Sequence, residues 1–159
     1  MIKVCIADNY PVVHFGVKSY FKDNAEISLV ANVGNFLMVR DILQTKEIDV
    51  LILDLELEGL ASIFEVKALL KNFPKTKIII FSGLSEQIYA PNAIKAGVSG
   101  FVHKSEKLET LGQSIIKVHQ GKIIMNETVK KNLALIAKQS KSERLYRKLS
   151  NREVEVLRY

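Results

Sequence analysis

Val50-Leu51-Ile52-Leu53-Asp54 decides how this chain folds. Four aliphatic residues in a row leave neither side of the segment polar. A run this short and this apolar suits a strand covered on both faces, as in a parallel sheet. It ends on a carboxylate, and three further runs end in the same manner. Val4-Cys5-Ile6-Ala7 leads into Asp8, Ile78-Ile79-Ile80-Phe81 into Ser82, and Phe101-Val102-His103 into Lys104. As parallel strands of one sheet, these segments deliver two carboxylates, a hydroxyl and an ammonium to one edge. Ligands of open α/β sheets sit outside the carboxyl ends of the strands, so these four groups are the candidate site.

The strands are expected over Ile2–Asp8, Ile27–Val33, Asp49–Asp54, Lys77–Ser82 and Gly100–Lys104. Between them the apolar spacing turns helical. Helices are expected over Pro11–Lys22, from about Phe36 to Gln44 behind an Asn35 cap, and near Ile63–Asn72 before Pro74. Two more are expected from Ser85 to about Ala96, stopped by Gly97, and over Leu108–Gln120, ended by Gly121. Pro91 predicts a kink or a later start in the first of these two. Five strands alternating with five helices specify an α/β fold, a doubly wound five-stranded parallel sheet with helices on both faces.

Beyond Gly121 the alternation stops. Glu127–Lys138 has helical spacing, and Gln139–Arg147 is polar and basic, the character of a linker. Ser150 and Glu153 are then spaced as a capping box, with Leu149 and Val154 placed as a hydrophobic staple, so another helix begins.

Composition narrows the class of protein. The 159 residues are 48% hydrophobic, enough for a real core in one domain plus an extension. No apolar stretch approaches the roughly 20 residues of a membrane span. The N-terminus lacks the layout of a secretion signal, which leads to a cytoplasmic expectation. Cys5 is the single cysteine; lying in an apolar run, it reads as a buried structural thiol. The net charge of +6 is uneven: residues 1–125 carry +1 and residues 126–159 carry +5. A basic tail fits nucleic-acid contact or a solvated helix and linker equally well. His14, His103 and His119 show no metal-ligand spacing, and for His103 a packing or surface role is expected.

The converging groups suit phosphoryl chemistry. A carboxylate attacks a phosphoryl group poorly because both are negative, so a cation must neutralise and align them. Mg²⁺ keeps several waters and needs only one or two carboxylates. Asp54 is the candidate nucleophile and a metal ligand, and Asp8 a second ligand. Lys104 would pair with Asp54 at rest and with a phosphoryl oxygen afterwards, while Ser82 would donate to another phosphoryl oxygen.

Four segments carry a family resemblance: Ala7-Asp8-Asn9-Tyr10-Pro11, Leu51-Ile52-Leu53-Asp54, Phe81-Ser82-Gly83 and Ala96-Gly97-Val98-Ser99-Gly100-Phe101-Val102-His103-Lys104. Together they resemble the receiver domain of two-component response regulators over about residues 1–122. The last segment is similar to the family's Ala-Gly-Ala-x-Gly-Tyr-x-x-Lys signature. The resemblance implies a flavodoxin-like strand order, 2-1-3-4-5. It implies phosphorylation of Asp54 by a sensor histidine kinase with Mg²⁺, self-catalysed at most and without enzymatic turnover. Ser82 and Phe101 would form the switch pair, and the Glu56 backbone carbonyl would be a metal ligand. Leu149-Ser150-Asn151-Arg152-Glu153-Val154-Glu155-Val156-Leu157 resembles the opening of a LuxR/NarL-type DNA-binding domain. The implied organisation is a receiver at 1–122, a helical linker at 123–148 and an incomplete helix-turn-helix domain at 149–159. DNA would be reached only through the missing part of that domain, and a homodimer is a further expected partner.

The chain departs from the family pattern in places. Asn9 stands where the family usually has a second metal-binding acid, so its carbonyl oxygen is the remaining ligand and Mg²⁺ is expected to be weakly held. Glu58 stands at a usual Pro and Ser62 at a usual Gly; the side chain of Glu56 or Glu58 could restore some charge. These departures leave an alternative, a degenerate receiver acting as a phosphorylation-independent interaction or dimerisation module. A phosphatase of similar topology would want an acid two residues after the nucleophile, where Glu56 stands, but the rest of the chain fits a receiver better.

Overall fold

The computed structural model describes residues 1–139 and 141. Residues 1–125 form one compact unit, and the chain from 126 onward is assigned to a second. The first unit alternates strand and helix throughout: β1 (Ile2–Ala7), α1 (Pro11–Phe21), β2 (Ile27–Val33), α2 (Phe36–Thr45), β3 (Val50–Leu53), α3 (Ile63–Asn72), β4 (Lys77–Ser82), α4 (Glu86–Lys95), β5 (Gly100–His103) and α5 (Leu108–His119). The strands pair in parallel in the order β2-β1-β3-β4-β5. This is the doubly wound, flavodoxin-like order expected from the sequence, with helices on both faces.

All four residues of β3 are buried, as a run without polar positions requires. Alternate side chains face opposite sides of the sheet. Val4, Ile6, Val50, Ile52, Ile79, Phe81 and Val102 join one core cluster with Val17 and Phe21 of α1 and Leu111, Ile115 and Val118 of α5. Gly112 lets α5 approach closely there, since a β-carbon at that position would lie 3.0 Å from Phe21 Cε1.

The helix ends follow sequence chemistry. Asn35 Oδ1 accepts from Met38 N at 3.0 Å, and Ser85 Oγ accepts from Ile88 N at 3.4 Å, satisfying amides that the first turn leaves open. Gly97 takes φ +106°, a left-handed conformation that stops α4. Pro91 lies inside α4, which begins at Glu86 directly after its cap, so the later start is not realised. Three strands end one residue earlier than expected. Asp8, Asp54 and Lys104 are therefore the first residues beyond β1, β3 and β5.

The edge beyond β5 receives one further bridge, in which Ile124 N donates to Ser99 O at 2.8 Å and Ile124 O accepts from Phe101 N at 3.0 Å. In the second unit residues 127–139 are helical, and Asn126 Oδ1 accepts from Val129 N at 2.8 Å. The helix start expected at Ser150 and most of the polar stretch Gln139–Arg147 lie outside the described residues. Among the described residues no helix is long and apolar enough to cross a membrane.

Candidate functional site

In this strand order β1, β3, β4 and β5 are consecutive neighbours, so the groups at their carboxyl ends are adjacent. β1 and β3 lie where the winding direction changes, the crevice that doubly wound sheets use for ligands. Asp54 N donates to Ala7 O at 3.0 Å, and Lys104 N to Ser82 O at 2.8 Å, which ties each pair of strand ends together.

Asp8 and Asp54 are both about 2% exposed. Buried carboxylates need partners, and one ammonium serves both: Lys104 Nζ is 2.7 Å from Asp8 Oδ2 and 2.9 Å from Asp54 Oδ2. The remaining oxygens accept from main chain. Asp8 Oδ1 takes Tyr10 N at 2.8 Å, and Asp54 Oδ1 takes Glu56 N at 3.1 Å. Burial opposes the charge of Lys104, but its hydrogen bonds to Asp8 and Asp54 and their negative charges outweigh that, raising its pKa above the ordinary lysine value. Tyr10 adds its ring face, 5.5 Å from Lys104 Nζ. Ser82 is fully buried, and its Oγ accepts from Leu84 N at 3.1 Å. Phe101 is buried in β5, paired in register with Ile80.

On the other side of the two carboxylates the contacts are neutral. Asn9 Nδ2 donates to Glu56 O at 2.8 Å, and Asn9 Oδ1 accepts from Glu58 N at 2.7 Å. The Glu56 and Glu58 side chains are exposed; what both residues give to Asn9 is main chain. The loop is further tied by Leu57 N to Asp54 O at 3.2 Å and Phe36 N to Glu58 O at 2.8 Å, with Leu57 buried.

Two histidines brace the edge, a role the sequence did not reveal. His103 Nε2 faces Gly83 O at 3.1 Å; a carbonyl only accepts, so the proton is on Nε2. His103 Nδ1 then accepts from Ser105 N at 3.1 Å and from Ser105 Oγ at 2.7 Å. The ring joins the loops that follow β4 and β5. His14 Nε2 donates in the same way to Asp8 O at 2.6 Å, and its buried Nδ1 has no partner among the described residues. Cys5 lies apart from this chemistry, since burial pushes its thiol up to about 12 against the opposing charge of Lys46.

Receiver domains generally bind Mg²⁺ at an acidic site. Asp8 and Asp54 fit such a cation in charge and in donor type. Each carboxylate oxygen has lone-pair capacity beyond its present bond. The two neutral oxygens expected beside them, Asn9 Oδ1 and Glu56 O, are engaged with the loop and with Asn9 itself.

The class is established by sequence pattern as well as by fold. The response regulator receiver domain pattern matches residues 4–116, and the chain belongs to that family. Among its curated relatives is the Fimbriae Z protein of Salmonella typhimurium, 31% identical over 157 residues, which are 98% of this chain and 74% of that protein. A nitrate/nitrite response regulator protein homolog of Haemophilus influenzae is 27% identical over 159 residues, 99% of this chain and 74% of that protein. Among solved structures, the apo receiver of RcsB from Salmonella enterica serovar Typhimurium superposes with a TM-score of 0.76 at 23% identity, covering 84% of this chain and 99% of that one. A LuxR-family response regulator from Aurantimonas sp. gives 0.75 at 22% identity, over 85% and 96% of the respective chains.

Proposed function

We propose that this chain is the receiver part of a LuxR/NarL-type response regulator in which Asp54 accepts a phosphoryl group from a sensor histidine kinase. The observation that carries this reading is the Lys104 ammonium, held 2.7 and 2.9 Å from two buried carboxylates at the sheet edge. A carboxylate oxygen of Asp54 forms the new bond to phosphorus. The phosphorus–nitrogen bond to the kinase histidine breaks, and its electron pair returns to the imidazole. Lys104 then moves from Asp54 to a phosphoryl oxygen. Ser82 Oγ keeps its own proton while it accepts from Leu84, and donates it to another phosphoryl oxygen. Ser82 and Phe101 act as the switch pair, coupling the loop after β4 to the ring on β5. When bound, Mg²⁺ neutralises charge between the carboxylate and the phosphoryl group. Asp8 and Asp54 would hold it, with Glu56 O and Asn9 Oδ1 joining once released from their present bonds.

In this reading residues 1–122 are the receiver, 123–148 a helical linker and 149–159 the start of a LuxR-type DNA-binding domain. The switch controls DNA binding through the rest of that domain, from the cytoplasm and by way of a homodimer. Its output is a contact rather than a turned-over product. Relatives of the same fold support this: the RcsB receiver was solved in the presence of the phosphomimetic BeF3-, and RcsB was solved bound to promoter rprA.

The test is Mg²⁺-dependent labelling by acetyl phosphate, followed as a mass increase of one phosphoryl group. Labelling should vanish in Asp54→Ala. Absence of labelling in the wild type at high Mg²⁺ would sink the switch. The second reading, an interaction module independent of phosphorylation, would then stand; the engagement of Asn9 and Glu56 by each other is the observation that favours it.

A further inference from the structure

We propose that Asn9 is a positioning residue that holds the loop after Asp54 in shape without a divalent cation, through a two-point bridge from its carboxamide to Glu56 and Glu58. The chemistry of the bridge is specific to an amide. Nδ2 gives a proton to Glu56 O at 2.8 Å, and Oδ1 takes one from Glu58 N at 2.7 Å. A carboxylate in the same place accepts from Glu58 N but has no proton for Glu56 O, so two oxygen lone pairs would face each other. It would also add a third negative charge to Asp8 and Asp54, which share the single ammonium of Lys104. Such a pocket would gain more from a bound divalent cation, which would offset the added charge. With Asn9 those three charged groups sum to −1, and both neutral oxygens are already satisfied. A cation therefore gains less charge and must displace the Asn9–Glu56 bond to reach Glu56 O.

The loop has anchors on either side of the bridge. Glu56 N and Leu57 N bond to Asp54 at 3.1 and 3.2 Å, and Phe36 N bonds to Glu58 O at 2.8 Å. Asn9 closes the stretch between them onto the loop after β1. This concerns the same pocket as the phosphoryl reading but includes no step of phosphoryl transfer, so its test can fail or succeed independently.

The experiment is amide hydrogen exchange of the whole chain, with and without MgCl₂, in the wild type, Asn9→Asp and Asn9→Ala. In the wild type the amides of residues 56–60 should change by less than about twofold on adding Mg²⁺. In Asn9→Asp without Mg²⁺ they should exchange roughly three- to tenfold faster, the equivalent of one net hydrogen bond, and Mg²⁺ should restore them. In Asn9→Ala they should be faster under both conditions. The amides of Ile52 and Ile79 in the core report that each variant is folded. A wild-type loop as dependent on Mg²⁺ as that of Asn9→Asp overturns the proposal. So does an Asn9→Ala loop as protected as the wild type, or an Asn9→Asp loop indifferent to Mg²⁺.

Discussion

The two walls of the pocket are built on opposite terms. Toward β4 and β5 the acidic pair meets a full charge, Lys104, backed by a buried hydroxyl and an imidazole that joins two loops. Toward the loop after β3 the contacts are neutral and more open to solvent, an amide against two main-chain groups. The charged wall is energetically committed, because buried carboxylates stripped of their partner cannot recover hydration. The amide wall is adjustable, because each bond there has a nearby substitute in water. Asp54 thus has a paired cation on one side and, on the other, a loop that can be re-formed at modest cost.

The largest effect is expected where the charged wall is broken. Lys104→Met keeps much of the side-chain bulk and removes the shared ammonium, leaving two carboxylates buried side by side. Removing one partner of a buried pair typically costs several kcal/mol; with Lys104 22% exposed, about 3 kcal/mol is expected. Urea unfolding at pH 8 measures it, and a loss below about 1 kcal/mol would mean that water already supports the carboxylates. The same contrast carries a pH signature. Folding raises the Lys104 pKa above its ordinary 10.5. Its contribution is therefore complete below that value and is lost as pH rises through the higher folded value. The gap between wild type and Lys104→Met should hold to about pH 10 and narrow above it.

The charged wall was legible in the sequence because strand ends are legible. Unbroken aliphatic runs announce strands covered on both faces, and whatever follows each run must lie at the edge. Asp8, Asp54 and Lys104 needed no further information than that, together with a strand order that makes their strands neighbours. The amide wall was not legible in this way. Asn9 follows Asp8 directly, so its place at the edge was predictable, and so was the missing negative charge. Its two partners are a carbonyl and an N–H of Glu56 and Glu58, whose positions depend on the path of the loop and not on side-chain chemistry. The acidic side chains of those residues drew attention in the sequence, yet Asn9 uses their main chain. His103 was obscured for a related reason, since its partners are the Gly83 carbonyl and the main chain and hydroxyl of Ser105.

On the amide wall a smaller stability effect is expected. Asn9→Ala removes two hydrogen bonds at a half-buried position, and water can replace part of each. A cost of about 1 kcal/mol is expected, seen as a lower urea midpoint with an unchanged slope. A cost near that of Lys104→Met would erase the distinction between the walls.

The smallest effect sharpens the comparison from within the charged wall. His103→Ala removes the ring that links Gly83 to Ser105 without touching either carboxylate. If the commitment of that wall lies in charge, this neutral brace should be worth about 1 kcal/mol or less. Its loss should be local: faster exchange at the Ser105 amide, with the Ile52 and Ile79 amides unchanged. Because Gly83 follows Ser82 and Ser105 follows Lys104, the variant should also loosen the two side chains proposed to meet phosphoryl oxygens. The expected result is slower labelling by acetyl phosphate at nearly full stability. His103→Gln should recover part of the rate, because its amide can still donate to Gly83 O. An unfolding cost as large as that of Lys104→Met would show that geometry rather than charge commits the wall. Unchanged labelling together with an unchanged Ser105 amide would show that the ring braces nothing.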